Sequence, residues 1–171
     1  MSIKSSPLAT KTILLIIIII TNTIFITIIL LYSPKKKFFP RATIIYPVED
    51  KEIREYPFTA KGTLNSPIPD GWHLWLLHSP DKSKNSWYPQ GGEIYPDLLN
   101  WEGRIWLGSR DDKIDKQYNI QLVLVNHIGN IRFRNYLADS KRSGQYKMIS
   151  KPKNTKVLAE TTVTRKTNQG K

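Results

Sequence analysis

The residues of this chain best suited to chemistry are aromatic. All five tryptophans, Trp72, Trp75, Trp87, Trp101 and Trp106, fall within one stretch of the sequence. Such rings can line a platform for a sugar or a peptide, because an aromatic face gives large contact area at low entropic cost. They also fill the cores of small β domains, and Trp75 and Trp106 read as core rings. The run Trp87-Tyr88-Pro89-Gln90 reads instead as a loop ahead of the Gly91-Gly92 pair. Trp87, Tyr88 and Gln90 are therefore the candidate ligand contacts.

Other chemistries find less support. His73 and His78 stand five residues apart on one apolar run. In a strand that odd offset points them to opposite faces, so they cannot share a metal. The chain has no Cys, no G-x-S-x-G motif and no phosphate-binding glycine loop. Asp111-Asp112-Lys113-Ile114-Asp115 has the acidity of a calcium loop, but not its glycine at position six or its glutamate at position twelve. It reads as a solvated turn. The expectation is a non-enzymatic protein with no cofactor and no metal.

The net charge of +12 is unevenly distributed. The middle of the chain is close to neutral, and the excess sits in residues 1–42 and 141–171. Lys35, Lys36, Lys37 and Arg41 form one basic cluster, and Lys141, Arg142, Lys147, Lys151 and Lys153 form another. These are the candidate contacts to an anionic surface. A nucleic-acid domain would carry such charge on a folded face, whereas basic residues beside an apolar segment are usual at membranes. A lipid bilayer is thus the expected partner, and nucleic acid is not.

The elements that must position these residues begin with Thr12–Leu31, an uncharged run without Pro or Gly in which ten residues are Ile. Twenty helical residues cover about 30 Å, the thickness of a bilayer's hydrocarbon core. In lipid, a lone segment must satisfy its backbone internally and so must be helical. Its exit, Leu31-Tyr32-Ser33-Pro34-Lys35, lacks a small-residue cleavage pattern. The expected organisation is a polar tail at 1–11, an uncleaved single-pass anchor at 12–32 and a basic, aromatic linker at 33–42. A folded domain at 43–165 and a frayed tail at 166–171 complete it.

Within the domain the period drops to two. Strands are expected at Ala42–Val48, Phe58–Leu64, Trp72–His78, Glu93–Tyr95, Gly103–Leu107, Tyr118–Asn126 and Lys156–Arg165. Pro47 suits an edge strand, and Trp72–His78 reads as central. Tyr118, Ile120, Leu122 and Leu124 share one face of their strand, with Val123 and Val125 on the other. Glu49–Glu55 reads as a charged turn and Ser140–Thr155 as a basic loop. Phe133, Tyr136 and Leu137 have helical spacing, which predicts a short helix within Gly129–Asp139, with Asn130 as its cap. Short strands joined by turns at this spacing predict an all-β antiparallel sandwich of about seven strands with one short helix.

Gly62-Thr63, Pro69-Asp70-Gly71-Trp72-x-Leu74-Trp75, Trp87-Tyr88-Pro89-Gln90, Phe133-x-x-Tyr136-Leu137 and Thr161-Thr162-Val163-Thr164-Arg165 follow one another in an order that resembles prokaryotic membrane-anchored immunoglobulin-like β-sandwich domains. Gly103-Arg104-Ile105-Trp106 matches that pattern in part, and Gly144–Ile149 departs from it. The resemblance spans about residues 43–165. It implies an immunoglobulin-like fold and display outside the cytoplasm, but no activity. The count of Lys and Arg flanking the anchor points the other way, and the expectation follows the resemblance. Two functions fit: a tethered, non-catalytic module binding a protein or an envelope component, or an electrostatic accessory whose basic loop holds anionic lipid or nucleic acid.

Overall fold

The structure, a computed structural model, describes residues 19–27, 38–80, 85–108 and 115–166. The chain divides into two compact units, Met1–Lys37 and Phe38–Lys171. In the first unit, residues 19–27 are helical. Thr23 and Thr27 turn their hydroxyls onto the carbonyls of Ile19 and Thr23, each at 2.8 Å. Back-bonding of this kind lets a threonine sit on an apolar helix with its polar group satisfied. The remainder of the anchor expected at 12–32 lies outside the described residues. Among the described residues no helix is long and apolar enough to cross a membrane.

The second unit is a two-layer β-sandwich. Among the described residues its strands are β1 (Ala42–Tyr46), β2 (Lys51–Ile53), β3 (Phe58–Leu64), β4 (Trp72–Ser79), β5 (Ser86–Ile94), β6 (Asn100–Ile105), β7 (Lys116–Asn126), β8 (Ile149–Ser150) and β9 (Lys156–Arg165). One sheet has the order β1-β3-β6 and the other β2-β9-β7-β4-β5-β8. Among the described residues the pairings are antiparallel except β2 with β9, where Lys51 to Ile53 run parallel to Val163 to Arg165. A helix, His127–Ser143, lies between β7 and β8 in the chain.

Period two places the core. Leu74 and Leu76 of β4 and Ile120, Leu122 and Leu124 of β7 point between the sheets, where they meet Phe58, Ala60, Trp101 and Ile105. Each fully buried aliphatic side chain stabilises the fold by about 1.5–3 kcal/mol. The alternate residues Trp75, Leu77, Val123 and Val125 point the other way, onto Phe133 of the helix. The alternation along β7 suits burial on both faces at its far end, and Tyr118 to Val125 are all buried. Gly62 is needed where β3 passes between its neighbours: a Cβ there would stand 1.9 Å from the Thr43 carbonyl oxygen and 2.6 Å from the Trp101 ring.

Several expectations change. Trp87–Gln90 is not a loop but the first half of β5. Pro89 is tolerated in this strand because β8 covers only Ser86 and Trp87 and leaves Pro89 without a second paired strand. Gly91 and Gly92, at φ 65 and 109, then make the bend the glycine pair predicted, where the β4–β5 register shifts. Glu93 belongs to this same strand. Glu49–Glu55 contains β2, too short and charged to show periodicity. The strand expected at Gly103–Leu107 is displaced to Asn100–Ile105, and Trp106, beyond its end, is at the surface rather than in the core.

The helix is longer than expected and starts earlier. Asn126, not Asn130, caps it, accepting a hydrogen bond from the Gly129 N–H at 3.0 Å. Gly144 ends it in the left-handed conformation, with Lys141 and Arg142 in the last turn, where cations suit the helix dipole. Its last residues, Lys141, Arg142 and Ser143, are exposed and polar, so they carry no apolar spacing from which the sequence could reveal them.

Candidate functional site

The expected contacts Trp87, Tyr88 and Gln90 do not share a surface. Trp87 is buried beneath the Lys151 ammonium, which stands 4.6 Å from the ring centroid. Tyr88 points to the opposite side and stacks on His78 at 5.0 Å. Gln90 is buried with its amide committed: its carbonyl oxygen accepts from the Trp106 N–H at 3.0 Å, and its nitrogen donates to the Pro89 carbonyl at 3.2 Å. Strand alternation explains the split. Of the three, Gln90 ties β5 to the chain leaving β6.

The basic set divides as well. Lys35, Lys36 and Lys37 lie outside the described residues. Arg41, Lys141, Arg142, Lys147 and Lys153 are exposed, and Arg142 pairs with Asp139 one helical turn away. Lys151 is half-buried and donates to Gln121 Oε1 at 3.1 Å; burial lowers its pKa. The second cluster is therefore not one free cationic loop. Its first two members end the helix, and Lys151 is a structural cation.

The structure brings together a polar group that no spacing announced. Glu93 of β5 receives His73 Nδ1 on one oxygen at 2.6 Å and Asn130 Nδ2 on the other at 2.9 Å. Asn130 Oδ1 accepts the Trp75 indole N–H at 2.8 Å. Burial alone would raise the Glu93 pKa, but the hydrogen bonds from His73 and Asn130, with the His73 imidazole alongside, outweigh it and hold the carboxyl below its usual range. Asn130 sits inside the helix and is buried, so this node fixes the helix against β4 and β5. Its members lie 20, 37 and 57 positions apart in pairs. Only knowledge of the strand pairing and helix position could have assembled it.

His127 stands nearby, its ring 6.1 Å from that of His73. Among the described residues no three His, Cys, Asp or Glu side chains are placed to hold a metal ion. The Asp111–Ile114 part of the acidic turn lies outside the described residues, and Asp115 is ion-paired with Lys166 at 2.8 Å.

With the helix fixed in this way, its outer face and the returning chain 145–149 enclose an open groove of about 780 Å³. Ile128 and Ile131, three apart, form one wall and are exposed; Tyr136 and Ile149 lie deeper. Arg132 and Lys147 border it with positive charge, and its acid, Asp139, is already engaged by Arg142. The groove is mostly apolar with a cationic margin. The sequence held one signal for it, since Ile128 and Ile131 are aliphatic at helical spacing yet fall on the face away from Phe133.

No protein-family model matches the chain, and no curated protein does.

Proposed function

We propose that this chain is a membrane-tethered, non-catalytic interaction module, and that the groove along the helix receives an apolar segment of a protein partner bearing acidic side chains. The observation that carries this reading is the groove itself: two exposed isoleucines on a helix whose inner face is already fully used. Isolated exposed aliphatics are ordinary, but aligned ones beside a cationic rim describe a helix-in-groove or extended-peptide site. Arg132 and Lys147 favour carboxylates on the occupant.

An immunoglobulin-like reading is supported by the strand order. β1-β3-β6 corresponds to the A-B-E part of one immunoglobulin sheet, and β9-β7-β4 to the G-F-C order of the other. The tether rests on the Thr12–Leu31 sequence, and display outside the cytoplasm rests on the resemblance. The rival reading, an electrostatic accessory holding anionic lipid or nucleic acid, is weakened by the commitment of Lys151 to Gln121 and Trp87 and of Arg142 to Asp139.

The test uses the full chain in lipid nanodiscs and a fluorescent peptide with two leucines four residues apart flanked by glutamates. Saturable binding is expected, weakened at least about tenfold, or 1.4 kcal/mol, by Ile131→Ser. Moderate salt should weaken it only modestly. Binding that collapses between low and moderate ionic strength and ignores Ile131 would favour the electrostatic reading instead.

A further inference from the structure

The connection between β5 and β6, which crosses from one sheet to the other, contains a tight turn. Asp97 and Asn100 exchange both backbone hydrogen bonds at 2.9 Å, leaving Leu98 and Leu99 as its two-residue tip. Leu98 has φ 55, a left-handed value that glycine normally supplies in tight turns. A leucine there is strained, and its side chain is 86% exposed. Neither local conformation nor packing accounts for a leucine at this position.

The tip has a definite place in the fold. The Leu99 carbonyl accepts from the Leu64 N–H at 2.7 Å, and Leu64 is the register partner of Ala42, where β1 begins. The tip therefore lies at the end of the sandwich where the chain enters from residue 38. That entry is fastened: Arg41 N–H donates to Asn65 Oδ1 at 2.7 Å, Asn65 N–H returns a bond to the Arg41 carbonyl, and Phe39 packs edge-on against Trp72 at 4.6 Å. Phe38, just before it, is 82% exposed. Two cations flank this end, exposed Arg41 and Lys156, whose ammonium lies 5.5 Å over the Phe39 ring.

We propose that this end of the sandwich docks onto the lipid bilayer, with Leu98 and Leu99 seated in the acyl region and Arg41 and Lys156 at headgroup depth. The proposal rests on the reading of Thr12–Leu31 as a membrane anchor. The five residues between Tyr32 and Phe38, at about 3.4 Å each, then keep Phe38 within roughly 20 Å of the end of the apolar segment. The opposite end of the sandwich has no such constraint, since the eleven residues of β7 place it about 36 Å further along. A protein partner fits the tip poorly. Two leucines and a phenylalanine present far less than the roughly 800 Å² per partner of a stable protein interface. Insertion into acyl chains accrues side chain by side chain, and aromatic and basic flanks are what an interface favours.

The chain has no Cys, so Leu98→Cys, Leu99→Cys and Arg54→Cys each create a unique labelling site; Arg54 follows β2 at the opposite end. The full chain carrying one environment-sensitive dye is reconstituted into vesicles containing acyl-brominated phosphatidylcholine. Quenching at positions 98 and 99 is expected to exceed that at 54 several-fold. The position 99 label guards against any disturbance from substituting the strained residue. Leu98→Asn, a residue at ease at positive φ, should reduce quenching of the position 99 label without altering the domain's circular dichroism. A chain that resists carbonate extraction yet shows equal quenching at 98, 99 and 54 overturns the docking alone. A chain stripped by carbonate overturns the anchored reading, and the docking with it.

Discussion

The two faces of the six-stranded sheet are built by different means. The face towards β1-β3-β6 is filled by side chains that need only be apolar: Leu74, Leu76, Ile120, Leu122 and Leu124. The face towards the helix combines Trp75, Leu77, Val123, Val125 and Phe133 with the hydrogen-bonded set of His73, Glu93 and Asn130. Apolar burial holds two sheets together without choosing among many close arrangements. A buried polar set is satisfied in only one geometry, because a donor left without its acceptor is costly. The first face supplies stability, and the second also fixes where the helix sits and so the shape of the groove it carries.

The largest effect should come from the first face. Leu122→Ala leaves a cavity between the sheets and should cost about 2–5 kcal/mol, read as a lowered urea midpoint for the full chain in detergent. A cost below 1 kcal/mol would mean that the sheets pack less closely than described.

Acid provides the next test, through His78 on the same face. His78 is buried against Tyr88 and Tyr118, and burial lowers its pKa to about 3, partly offset by a hydrogen bond to the Trp106 backbone. The folded state holds this ring neutral while the unfolded chain takes up a proton near pH 6.5. Stability from this group is therefore complete above pH 6.5, falls by up to about 1.4 kcal/mol per unit below it, and levels off near the folded value. His78→Phe should flatten the slope in that window. Glu93 acts in the opposite sense of charge and at lower pH: its depressed pKa contributes stability above the ordinary carboxylate range, lost as pH falls through the folded value. Glu93→Gln should leave the slope between pH 6.5 and 5 unchanged.

Asn130→Ala should cost about 1–3 kcal/mol, since it strands the Trp75 indole N–H and removes one donor from Glu93. Its sharper consequence is on the groove, because peptide binding should weaken although residue 130 does not line it. Ile131→Ser marks the small end of the series. It should change stability by no more than about 0.5 kcal/mol, as surface substitutions do, and still lose binding.

The division between the faces also sets what the sequence made legible. β3 and β9 were readable to the residue and β4 and β7 nearly so, because alternation of Tyr118, Ile120, Leu122 and Leu124 against Val123 and Val125 records two-sided burial. β2 was not readable, since three residues with one buried side chain, Ile53, carry no period. Trp87–Gln90 read as a loop but is strand, because the pairing that shows this comes from β4 on one side and, at Ser86 and Trp87, from the distant β8. The helix was visible only where Phe133 and Leu137 face the sheet. The His73–Glu93–Asn130 set left no mark at all, for each member is an ordinary surface residue until three elements converge on it.

The central claim is that the helix-covered side is the working side. It is tested most directly by a photo-reactive phenylalanine analogue at Asn135, within the groove, and at Thr59, exposed on the three-stranded sheet, in the full chain in cells. Discrete adducts are predicted from position 135 and absent from position 59, and Arg132→Glu with Lys147→Glu should abolish them. Equal adducts from both positions, or adducts at 135 indifferent to the charge reversal, would contradict the account.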